Sequence, residues 1–566
     1  MNTKSLATVL ISAALSGGGC LLVTPLDELP AMRGEAPSTS GSGGVADGGA
    51  SAAGGAAGEM SGAGSGGSGI FPDGTCQTNA QCIAEAADEP ARCRPSDHKC
   101  VPLRDEACPV VVGEAEDPNA VYFGAFASLD GVTPEDNSIV WAHQLALDEL
   151  SGDSMGGLPD GVKGRRRPLV MIVCNNLEDL IQPSLKHLIE NVQVPAVLAT
   201  LKPGDLRRAY EEYAAHDVFY LSPVSVTKSI ASVSDEGRIW NLLGQPSDFA
   251  PTYAALLARS EAWLRADREL GDAPIRVALV ATRDAFDSEL RDAVTTAIHF
   301  NGQQTAAENE ESDQFRSITL DPDAPELATQ AAQLAEFAPD IVISTASDLF
   351  LQRGGLQDRL ETEWGVLAGG KKRPFYILSP YDAGNVNTLR DRISGVIQED
   401  PNGGEDNERY VGVTIAPPAD VTLQRAYEVR LRSLFKDAIL DTANYYDATY
   451  YLAYAMYAAD QPAGLTGSGI SAGMQRLFAG KQNFDVGPGV IGDVFDALRK
   501  PGSFVHLNGT LGPPEIDVSR GVRPVDGGVF CFSRTGTSAR VVPNAARFDR
   551  DQEKFVGSLA ACNPDF

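Results

Sequence analysis

Short apolar runs recur from about Asn119 onward, each bounded by polar or turn-forming residues: "AVYFGAF" (120–126), "PLVMIVCN" (168–175), "VPAVLAT" (194–200), "VFYLS" (218–222), "IRVALVA" (275–281), "DIVISTA" (340–346) and "PFYILSP" (374–380). Runs of this length without polar alternation read as strands buried on both faces. Between them lie segments with helical spacing, among them "SIVWAHQLALDEL" (138–150), "PGDLRRAYEEYAAH" (203–216) and "SELRDAVTTAIHF" (288–300). Alternating strands and helices predict parallel sheets covered by helices, an α/β class. About four such units precede a long crossing segment near 240–270 and at least three follow it, which predicts two doubly wound lobes joined by a hinge.

In open parallel sheets, ligands bind beyond the carboxyl ends of the strands. Several predicted strands end in hydroxyls. "VFYLS" runs into Ser222, Ser225 and Thr227, "FASLDG" carries Ser128, "STASD" carries Ser344, Thr345 and Ser347, and "LSPYDAGN" carries Ser379, Tyr381 and Asp382. Any one of these hydroxyls can simply cap the next helix. Together they mark an interlobe cleft as the candidate site.

The order "YFGAFASLDG", "VPAVLATLKPGDL", "VFYLSPVSVTKSI", "VALVATRDAFDSEL", "FAPDIVISTASD", "FYILSPYDAGN" and "NYYDATYYLAYAM" resembles the type I periplasmic binding proteins, in particular the branched-chain amino-acid (Leu/Ile/Val) binding group, over residues 117 to 535. The resemblance implies a ligand held between two lobes. Carried over residue by residue, it assigns Val224, Ser225 and Thr227 to the first lobe's wall, where the strand-end reading adds Ser128. Phe286, Tyr381 and Asp382 fall on the second, where the strand-end reading adds Ser347. The loop after "VPAV", here Leu201 to Asp205, has no serine where amino-acid binders use one, and Asp447 lies in the family's Tyr-Asp-Ala helix.

The residues before Asn119 differ in kind. Residues 1–19 have one lysine, Lys4, and an apolar stretch, the shape of a secretory signal peptide. The end at "SGGGC" resembles a lipobox with Gly17 in place of the usual Leu, which implies lipidation at Cys20; an ordinary cleaved signal is the alternative. Residues 20–70 are rich in Gly, Ser and Ala and read as a flexible tether. A Cys-rich segment, 71–110, contains Cys76, Cys82, Cys93, Cys100 and Cys108, read as disulfides in an exported chain. A zinc site is disfavoured because no C-x2-C spacing occurs. Cys174, Cys531 and Cys562 lie far away, and Cys531 with Cys562 is expected to close a C-terminal clasp. The lobes are expected at 117–247 with 420–505 and at 248–419 with 506–535, followed by a C-terminal extension, 536–566.

Composition removes some functions. With 46 basic and 76 acidic residues, the 566-residue chain has a formal charge of −30, which excludes the clustered cationic surface that nucleic-acid binding requires. No metal-spaced histidine pair, G-x-S-x-G elbow or phosphate-binding loop stands in the sequence, so neither enzyme chemistry nor a cofactor is expected. The expected function is capture of a small polar ligand by a periplasmic, lipid-anchored protein serving an ABC permease or a sensor, with the membrane contacted through the anchor alone. The alternative is an outer-membrane lipoprotein module that contacts envelope proteins such as peptidoglycan synthases.

Overall fold

The computed structural model describes residues 75–562 except 87–88, 130–133, 153–154, 161–163, 322–325, 347–348, 369, 381–388, 395–405, 419, 460–464 and 537. The expected signal peptide, Cys20 and the tether therefore lie outside the described residues, as do Ser347, Tyr381 and Asp382. The described residues form one compact unit. Among the described residues, no helix is long and apolar enough to cross a membrane.

Two large sheets organise this unit. In the first, the parallel strands Val121–Ala127, Leu169–Asn175, Ala196–Leu198, Phe219–Ser222 and Ile239–Asn241 stand in the spatial order second, first, third, fourth, fifth. Val110–Val112 is added antiparallel at one edge. The pleat explains why these runs are apolar throughout: Val121, Phe123 and Ala125 enter one core while Tyr122 and Phe126 enter the other. Gly124 marks a tight approach, since a Cβ there would stand 2.6 Å from the Leu188 side chain of the covering helix.

The second sheet repeats the plan with Val277–Thr282, Phe315–Leu320, Ile341–Ser344, Phe375–Leu378 and Tyr410–Ile415 in the same order. It then continues with Gly527–Thr535, Ser538–Asp549 and Lys554–Gly557, all antiparallel. Residues 538–557, expected in an extension, are thus the outer strands of this sheet. Residues 506–511, expected in the second lobe, belong to the first: His506–Asn508 pairs with Asn483–Asp485, and Leu507 is buried in the first lobe's core.

Three crossings join the lobes. The first follows Asn241 and leads into helix Pro246–Asp267, whose Phe249, Leu256 and Leu264 are buried against the second sheet. The second leads from Ile415 to helix Thr422–Leu434, which buries Tyr427 and Leu431 in the first lobe. The third runs from Val522, bridged to Asn241, into strand Gly527–Thr535. Two doubly wound lobes on a hinge, the arrangement expected from the sequence, follow directly from these connections.

The nine cysteines include four bonded pairs: Cys76–Cys93, Cys82–Cys100, Cys108–Cys174 and Cys531–Cys562. The Cys-rich segment is docked on the first lobe. Arg92 donates to the Val192 and Gln193 carbonyls at 2.6 and 3.3 Å, where the helical stretch Lys186–Val192 ends. A guanidinium there satisfies carbonyls that the helix leaves without partners. Its plane also lies over the Tyr122 ring, 4.7 Å from the centroid.

Candidate functional site

The segments after the first, third and fourth strands form the first lobe's wall. Ser128 and Leu129, half-buried, follow the first strand. Thr200 follows the third, and its hydroxyl is buried with no hydrogen-bond partner among the described residues. Only 9 % of the residue is exposed. Three residues on, helix Pro203–Tyr213 begins with proline at its first position and with no side-chain cap from Lys202. Pro203 has no N–H, and the Asp205 and Leu206 amides both donate to the Lys202 carbonyl at 3.0 Å. Reading only Leu201 to Asp205 as this loop missed Thr200, because the strand ends at Leu198 and the loop begins earlier.

The turn after the fourth strand uses its hydroxyls internally. Ser222 donates to the Val224 carbonyl at 3.0 Å, and Ser225 donates to the Leu243 carbonyl in the first crossing at 2.7 Å. Thr227 is buried and shares a 2.6 Å hydrogen bond with Ser229. Val224 is half-buried at the edge of the first lobe's core. Asn444, on helix Ala443–Ala458, fixes the turn from behind by donating to the Pro223 carbonyl at 2.8 Å.

Phe286 is only 2 % exposed and packs in the second lobe's core. The spacing of Phe286, Leu290 and Val294 on helix Ala285–Ala297 gives one apolar stripe facing that core. That stripe, legible in the sequence, is the signal that places the ring inward. The start of this helix is fixed by Asp284, which accepts from the Phe286 amide at 2.8 Å, and by a hydrogen bond from Thr282 to Asp287.

The two walls touch through a residue that the sequence did not single out. Both carboxylate oxygens of Glu289, on helix Ala285–Ala297, accept from the Lys228 amide, at 3.0 and 2.7 Å. Burial raises the Glu289 pKa, and the Lys228 amide and charge partly oppose the rise. Because Lys228 follows the fourth strand of one lobe and Glu289 the first strand of the other, the carboxyl ends of both sheets face one cleft.

No family model matches the sequence, and no curated protein does. In chain path the protein is similar to a leucine binding protein from Thermotoga maritima MSB8, with 12% identity and a TM-score of 0.49 over 76% of this chain and 100% of that one. It is similar to a possible leucine/isoleucine/valine-binding protein from Rhodopirellula baltica SH 1, with 13% identity and a TM-score of 0.47 over 75% of this chain and 96% of that one. A third similar structure is an ABC-transporter solute binding protein from R. palustris in complex with benzoate, with 11% identity and a TM-score of 0.46 over 78% of this chain and 99% of that one.

Proposed function

We propose that this chain is an extracytoplasmic solute-binding protein, held to a membrane by a lipid on Cys20, that captures a small polar ligand between its lobes for an ABC importer or a sensor. The ligand class is an amino acid, an amide or a related molecule. The observation that carries the reading is the cleft itself. Two sheets of the same strand order turn their carboxyl ends toward each other, as the Lys228–Glu289 contact records, and three crossings link them. Ligand contacts to both walls favour the closed arrangement by differential affinity, with the crossings as hinges. Thr200, Ser128 and Val224 are the first-lobe residues assigned to the ligand, and the Thr200 hydroxyl, buried and without a partner among the described residues, is assigned to its polar end.

The test is a thermal-shift screen of amino acids and small amides, followed by Thr200→Val on any hit. A ligand raises the melting temperature by mass action. Thr200→Val is expected to leave the unliganded protein as stable as before, because the hydroxyl it removes has no partner among the described residues. Affinity should fall about tenfold, the loss of one hydrogen bond of about 1.4 kcal/mol. Unchanged affinity removes Thr200 from the site, and a screen without any hit favours the second reading. In that reading the same fold is an envelope-protein interaction module whose cleft holds no ligand, and the filling of the cleft donor by the protein's own Glu289 supports it.

A further inference from the structure

Lys228 opens the short helix Lys228–Ala231, and the preceding Thr227 makes no capping bond to it. The Thr227 hydroxyl is turned instead to Ser229. The partner of the Lys228 amide is Glu289, from the opposite lobe, which reaches it with both oxygens. Glu289 is carried on a helix whose start is pinned by Asp284, by the Thr282–Asp287 bond and by the buried Phe286 ring. Its reach across the cleft is therefore set by the second lobe's core. The charges acting on it are the Lys228 ammonium, which attracts, and the Asp248 and Asp292 carboxylates, which repel.

We propose that Glu289 is a built-in occupant of the cleft: its carboxylate takes the Lys228 donor, holds the lobes together without ligand, and selects against ligands that present a carboxylate at that point. The holding role stands on the interlobe bond alone. The selecting role rests on the solute-binding reading above and refines its ligand class, because the wild-type cleft then takes a group that is neutral or cationic beside Glu289. A carboxylate is a strong acceptor for a backbone amide, and an internal one needs no association entropy to occupy it.

Two substitutions remove the bond from opposite sides in the full-length protein. Glu289→Ala deletes the acceptor. Lys228→Pro deletes the amide hydrogen together with the lysine ammonium, and it suits the site, because Lys228 is the first helical residue and Thr227 before it is extended at φ −75° and ψ 159°. Small-angle scattering should give a larger radius of gyration for both variants than for the wild type. Asp292→Ala, on an exposed neighbour, should match the wild type. Acetate should bind Glu289→Ala about tenfold more tightly than it binds the wild type, while acetamide, which lacks the charge, should not distinguish them. Scattering of both variants that superimposes on the wild type overturns the holding role. Equal acetate affinity in the wild type and Glu289→Ala overturns the selecting role. Variants that open but bind no probe in any screen keep the holding role and remove the solute-binding reading, so the two ideas fail separately.

Discussion

Arg550, in the turn after the longest strand of the second sheet, donates to the Asp248 carboxylate at the first crossing, 3.3 Å away. Its Nε also donates to Asp526 in the third crossing at 3.0 Å. Asp248 in turn accepts from the Val525 amide at 3.3 Å, and the Asp526 carbonyl accepts from Ala416 of the second crossing at 2.9 Å. One arginine from the C-terminal strands thereby ties the first crossing to the third, and the Asp526 backbone joins the second to them. Arg550→Ala is expected to lower stability by about 1–3 kcal/mol, the range for hydrogen bonds to charged groups, as read from urea unfolding. A loss below a few tenths would mean that the crossings hold without it.

Two buried groups should tilt stability with pH in opposite directions. Burial raises Asp447 from 3.8 to about 6, while the Thr510 amide, 3.0 Å away, opposes the rise. Its contribution is full below pH 3.8 and is lost as pH rises through 6. Burial lowers His143 from 6.5 to about 3, so its contribution is full above pH 6.5 and is lost as pH falls toward 3. Relative to the wild type, Asp447→Asn should gain about 3 kcal/mol between pH 4 and 7, from one proton over roughly two units. His143→Gln should gain in the opposite sense, as pH falls. Unfolding measured at pH 4, 5, 6 and 7 would show parallel curves if neither group is linked.

The Cys531–Cys562 bond joins strand Gly527–Thr535 to the chain after Lys554–Gly557 and closes the elements that deliver Arg550. Replacing both cysteines with serine should lower stability by about 2–4 kcal/mol, the usual effect for a loop of this order. Peptide mapping without reductant should recover all four pairs. A different pairing, or free thiols at these positions, contradicts the assignment.

Arg92→Ala should loosen the Cys-rich segment from the first lobe, because it removes the donor to Val192 and the cation over Tyr122. Limited proteolysis should then cut within residues 75–105 sooner than in the wild type, while the lobes keep their melting temperature.

Cys20→Ala should move the protein from the membrane to the soluble fraction. Unchanged membrane association in that variant removes the lipid anchor from the proposed function.

The plan of two doubly wound lobes was legible because a strand buried on both faces must be apolar at every position, which leaves an unmistakable run in the chain. Strands outside that rule were missed. Phe315–Leu320 alternates buried and exposed positions at the edge of its sheet, and Ile239–Asn241 is only three residues long. The cysteine cluster was legible as oxidised, but pairing Cys108 with Cys174, 66 residues away, required the folded chain.

For the hydroxyls at the strand ends, position in the chain was legible and partners were not. Residue type and spacing located hydroxyls at strand ends, since local pattern encodes burial and turns. Tertiary packing alone decided that Ser225 bonds to Leu243, that the Thr200 hydroxyl has no partner among the described residues and that Glu289 crosses to Lys228. A hydroxyl or carboxylate carries the same donor and acceptor atoms in every context, so its partner is fixed only when distant segments are brought within about 3 Å of it.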